Sequence, residues 1–113
     1  MRNKIKELQK KLNKLGIDQY VFKSFNDENL LLIGSPNITY YHLVEITFMR
    51  VDYINCPMNL WTSGIIRLAT NDERKLYNSQ TQIEDEDLMI IVEDSFGEIF
   101  FIVCEDFEFK FID

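Results

Sequence analysis

Carboxylates are the side chains in this sequence with the most capacity for chemistry. Glu84-Asp85-Glu86-Asp87 is an unbroken acidic run, and Glu93-Asp94 and Glu105-Asp106 are acidic pairs. Two carboxylates held at a set spacing can act as general acid and base, and an acidic run can draw in a cationic partner. Adjacency in sequence ranks none of them as a catalyst, because proton transfer depends on geometry. Nucleophilic catalysis has little to build on. The only histidine, His42, lies in a strand-like run where Val44 and Ile46 share its face, so a half-buried structural role is expected. Cys56 and Cys104 are far apart, each beside apolar residues. Neither has the cationic setting that makes a reactive thiolate, and both read as buried free thiols of a reducing compartment. No catalytic residue is assigned.

Metal and cofactor signatures are missing from the sequence as well. It has no CxxC pair, no HExxH and no second histidine. The 84–87 run lacks the spacing and the glycine of a calcium-binding EF-hand loop. Four glycines, Gly16, Gly34, Gly64 and Gly97, are too widely spaced for a phosphate cradle or a dinucleotide fingerprint. No metal and no cofactor is expected.

Charge is segregated along the chain. Of its 113 residues, 1–16 carry six of the twelve basic side chains and one acid, a balance of +5. The remainder carries six basic and eighteen acidic side chains, a balance of −12. An acidic body repels nucleic acid and suits a basic protein partner. Nucleic-acid binding is therefore not expected. Bacterial inhibitors that neutralise basic toxins, such as immunity proteins, follow this charge logic, because complementary charge speeds encounter and sets register. The leading expectation is a non-catalytic protein-binding module. Its candidate contact residues are Glu84, Asp85, Glu86, Asp87, Glu93, Asp94 and the sole tryptophan, Trp61, an interface anchor if exposed and a lid on the core if buried. A homo-oligomeric accessory protein is the alternative. Its interface would use Ile5, Leu8, Leu12 and Leu15, or the row Phe107, Phe109 and Phe111, with monomer and homodimer both open. A carboxylate-dependent enzyme using Glu93 or Glu105 ranks third.

These residues need elements to hold them. A chain of this length buries roughly two-thirds of its unfolded surface, enough for one core in one domain. Nine Phe, five Tyr and fourteen Ile, against a single alanine at Ala69, favour strands over helices. Ile5, Leu8, Leu12 and Leu15 make one narrow apolar stripe on a helix over 3–15, capped by Asn3 and ended by Gly16. That basic helix (1–16) is short and must dock, either on the acidic β-rich body (19–113) of its own chain or on another subunit. No run approaches the roughly 20 apolar residues of a membrane span. The N-terminus lacks a signal-like apolar core, so a cytoplasmic protein without membrane contact is expected.

Strand signals follow. Tyr20, Phe22 and Phe25 mark one strand, Asn26-Asp27-Glu28-Asn29 a turn, and Leu30 to Ile33 a second strand. Tyr40 to Asn55 alternates as a strand but changes phase, from Val44, Ile46 and Phe48 to Met49, Val51 and Tyr53. Side chains in a strand repeat every two residues, so the phase change predicts a bend at Phe48-Met49. Thr70-Asn71-Asp72-Glu73 is a capping box that starts a short helix near 71–78. Leu88 to Glu93 and Ile99 to Cys104 are apolar on both faces and form a hairpin across 94–97, so that sheet should be covered on both sides. Glu105-Asp106 predicts a second bend before the Phe107-Phe109-Phe111 row. The sum is an α+β fold: an N-terminal amphipathic helix on a curled, mostly antiparallel sheet of about 6–7 strands, as a sandwich or partly open barrel.

Overall fold

The computed structural model describes residues 2–60, 64–79 and 81–112. Its elements run α1 (Arg2–Leu15), β1 (Gln19–Asn26), β2 (Asn29–Ser35), β3 (Val44–Met49), β4 (Tyr53–Asn55), β5 (Asn59–Leu60) and β6 (Ile65–Leu68). They continue with α2 (Asn71–Tyr77), β7 (Leu88–Glu93), β8 (Ile99–Cys104) and β9 (Asp106–Phe111). The strands form two antiparallel sheets, ordered β5-β1-β2-β3-β9 and β4-β8-β7-β6. Neither sheet closes into a barrel. Nine strands among the described residues exceed the six or seven expected, because the two-residue β5 is too short to leave a periodic signal and the run read as one bent strand, Tyr40 to Asn55, divides into β3 and β4.

The phase change in the long run is a corner shared by two strands. β3 pairs with β9 in the first sheet, and β4 pairs with β8 in the second. Between them Arg50 adopts φ 53°, a left-handed conformation rare for a side-chain-bearing residue. The amide of Asp52 donates to Val103 O at 2.9 Å, and that of Glu105 donates to Met49 O at 3.0 Å. Both strands therefore cross from one sheet to the other side by side and stay bonded through the turn. The bend falls at 50–52, two residues beyond the expected Phe48-Met49, and the second bend falls at Glu105 as expected. Val44, Ile46 and Phe48 are fully buried before the corner. After it Val51 packs on the main core, while Tyr53 packs on the far face of the second sheet.

That far face explains the doubly apolar hairpin. On β7 and β8, Ile90, Val92, Ile102 and Cys104 point into the main core between the sheets. The alternate residues Met89, Ile91, Phe101 and Val103 form a second cluster on the outer side. Tyr53, Ala69, Tyr77 of α2 and Ile83 cover this second cluster. α2 itself starts where the capping box predicts, with Glu73 N donating to Thr70 Oγ1 at 3.2 Å and Thr70 N to Glu73 Oε1 at 2.9 Å.

α1 spans the gap between the edge strand of each sheet. Ile5, Leu8 and Leu12 are buried in the main core, worth roughly 1.5–3 kcal/mol apiece. Its flanks reach both edges. Gln9 Oε1 accepts from the Ile66 amide of β6 at 2.6 Å. On the other side the Lys4 and Lys11 ammoniums lie 4.7 and 4.5 Å above the rings of Phe107 and Phe111 of β9. Gly16, at φ 67°, takes the left-handed turn that ends the helix, and Ile17 N then donates back to Leu12 O at 3.2 Å.

Candidate functional site

The sheet register gathers an acidic cleft at the corner. Leu88 pairs with Cys104, so the loop before β7 lies beside the residue after β8. The cleft of about 350 Å³ is lined by Glu84, Glu86 and Asp87 from that loop, by Glu105, and by Arg50 and Asp52 from the other corner strand. Five carboxylates thus face one guanidinium. Arg50 is exposed and meets Glu105 at 3.2 Å and Glu28 at 3.8 Å. Among the described residues Asp52, Glu84, Glu86 and Asp87 form no ion pair.

The loop is held without spending its charge. Arg74 of α2 donates to the carbonyl of Asp87 at 2.9 Å and to that of Glu84 at 2.8 Å. The Glu84 amide donates to Asp87 Oδ2 at 3.1 Å, and the Ile83 amide to Asn78 Oδ1 at 2.9 Å. A cation therefore fixes the backbone of the acidic run through its carbonyls, and the Glu84 and Glu86 carboxylates stay exposed. Asp85 turns away, into a separate depression lined by Asn71, Arg74, Lys75 and Ile83.

Glu93 and Asp94 stand at the opposite end of β7 and do not join this cleft. Glu93 lies 3.5 Å from Arg67. Asp94 Oδ1 accepts from the amides of Phe96 and Glu98, each at 2.9 Å, and builds the hairpin turn. Trp61 lies outside the described residues. Of the helix stripe, Ile5, Leu8 and Leu12 are used up within the chain, which leaves Leu15 exposed. Phe107 is buried, and Phe109 and Phe111 are half-buried.

Arg50 and Asp52 were not candidates from sequence, and Glu105 was one for a carboxylate-dependent enzyme but not for partner binding. The signal that finds them is the combination of two features that sequence does show: the bend in the long strand and the hairpin register that sets 84–87 against 105.

The remaining reactive groups are set apart from the cleft. His42 Nε2 lies 3.0 Å from Glu45 Oε2, half-buried just before β3. Cys56 and Cys104 are free, and burial pushes each thiol up to about 12, so neither is a thiolate near neutral pH. Among the described residues no group of three or more His, Cys, Asp or Glu side chains converges to hold a metal ion. Among them also, no helix is long and apolar enough to cross a membrane. No protein-family model, curated protein or solved structure matches this chain.

Proposed function

We propose that the protein is a non-catalytic binding module whose acidic corner cleft receives lysine or arginine side chains of a basic protein partner, in the manner of a bacterial inhibitor or immunity-type protein. One observation carries this reading: five carboxylates line the cleft, and a single exposed guanidinium opposes them. Carboxylates crowded together repel one another, and an incoming cation relieves that repulsion. The net charge of −7 adds a long-range field that speeds the approach of a basic surface and weakens as salt rises.

The Glu84→Gln/Glu86→Gln variant tests this, because neither side chain supports the loop. Binding of a lysine- and arginine-rich peptide should slow in association by about tenfold at low salt and depend less steeply on salt. The control Glu7→Gln/Glu98→Gln removes the same charge far from the cleft. Equal losses in the two variants, measured by stopped-flow fluorescence, would reduce the effect to overall charge and refute the site.

A further inference from the structure

We infer that β9 is a self-pairing edge, and that a second copy of this chain adds its own β9 antiparallel to it about a two-fold axis through Phe109. Three observations point there.

The first is backbone direction. Ile112 N donates to Leu43 O at 2.8 Å, so Ile112 faces β3. Backbone groups alternate along a strand, so Phe107, Phe109 and Phe111 direct their N–H and C=O groups away from the sheet. Phe107 is already guarded. Its amide donates to Asp106 Oδ1 at 2.8 Å, its carbonyl accepts from Lys4 Nζ, and Lys4 and Asp106 sit 3.9 Å apart. The N–H and C=O groups of Phe109 and Phe111 have no partner among the described residues.

Charge selects the register. On the face opposite the phenylalanines, β9 exposes Glu108 and Lys110. A two-fold axis through Phe109 sets Glu108 against Lys110 of the second copy and Lys110 against its Glu108. Moving the axis to Glu108 opposes two glutamates, and moving it to Lys110 opposes two lysines. Opposite charges directly across a strand pair stabilise it, and like charges do the reverse. In the Phe109-centred register three of the four free groups on each edge also find partners. The Phe109 amides and carbonyls bond reciprocally, and each Phe111 amide reaches the free lone pair of the other copy's Phe107 carbonyl.

The third observation is the unfinished aromatic row. Phe107 pairs with Phe48 and is fully buried, while Phe109 and Phe111 are only partly buried against the core, with the Lys11 ammonium over the Phe111 ring. The second copy's rings would extend the row across the axis, Phe109 on Phe109 and Phe107 against Phe111. A strand edge with unpaired backbone groups is a pairing template unless covered.

Sedimentation velocity on the whole chain from about 5 to about 200 µM tests the proposal, since one strand pair makes an interface at the small end of the stable range. The wild type should move from monomer to dimer across that interval. Lys110→Glu should weaken the dimer by about tenfold or more, and Glu108→Lys/Lys110→Glu should restore it. A wild type that stays monomeric, a dimer indifferent to Lys110→Glu, or a swap that fails to restore would each overturn it. Cysteines give an independent check on register. Residues 108 and 110 would face each other as a pair about 4.5 Å apart at Cα, within disulfide reach. Glu108→Cys and Lys110→Cys chains should cross-link when mixed and not when separate; cross-linking of either alone would exclude the Phe109 axis.

Discussion

Phe101→Ala should remove about 3–5 kcal/mol of stability, a large share of the roughly 5–15 kcal/mol that holds a domain of this kind folded. The ring is fully buried on the outer face of the second sheet. It stacks on Tyr53 at 5.6 Å and meets Tyr77 of α2 at 4.6 Å, tilted by 35°. Truncation removes the transfer energy of the ring and leaves a cavity beneath a seven-residue helix that buries no side chain fully. Tyr77 is the α2 side chain that packs on this cluster, so local collapse cannot refill the space without moving the helix. Urea denaturation followed by circular dichroism reads the effect. Phe96→Ala, at a hairpin tip where the ring is 90% exposed, is the matched control and should stay within about 0.5 kcal/mol of wild type. A loss below about 1 kcal/mol for Phe101→Ala would mean that the outer cluster is not a packed core.

Acid should strip a second contribution, centred on Glu73. Its carboxylate receives a forked pair of bonds from Arg67, at 2.7 and 2.8 Å, and closes the capping box with Thr70. The bond from Arg67 is the main reason the group is lowered from 4.5 to about 2. The folded-state value lies below the unfolded one, so this contribution is complete above pH 4.5 and drains as the pH falls towards about 2. Allowing for partial exposure to solvent, it is worth about 2 kcal/mol. Glu73→Gln keeps the shape and the acceptor for Thr70 but loses the charge, so it should cost about 1–2 kcal/mol at neutral pH. The decisive comparison is the drop in urea midpoint between pH 6 and pH 3. Wild type should lose more than the variant, and identical drops would assign the acid sensitivity to other carboxylates.

Where sequence and structure agree, the signal lies within one element or between neighbours. The capping box at Thr70–Glu73, the hairpin across 94–97 and the two-faced strands beside it are all short-range patterns, and each is present in the fold. The corner was legible as an event but displaced in position. Alternation of apolar residues reports which face a side chain takes, whereas the turn itself is made by the backbone of Arg50, whose exposed side chain carries no apolar signal. The cleft was less legible still. Glu93-Asp94 and the 84–87 run look equivalent in sequence, yet a whole strand separates them, and the residue that faces the run is Glu105. The apolar stripe of α1 did not reveal whether it would dock on its own sheet or on another molecule. The gap between β6 and β9 decides that, and both edges are set by residues far along the chain.

The shared corner also dictates an order of assembly. β1–β2 and β7–β8 are hairpins that close over a few residues, and such local pairs form early because loop closure costs them little. The corner joins Val44 to Phe111 and Tyr53 to Val103, contacts that must close long loops before they return any energy. Both sheets therefore wait on one long-range event, and the strip from Val44 to Phe48 stays without its outer neighbour until the last strand arrives. Pulse-labelled hydrogen exchange during refolding should protect the β7–β8 amides before those of Asp52 and Glu105. Protection of the corner amides first would reverse this order. As a newly made chain leaves the ribosome, the strand that carries Val44, Ile46 and Phe48 keeps one edge unpaired until β9 reaches it.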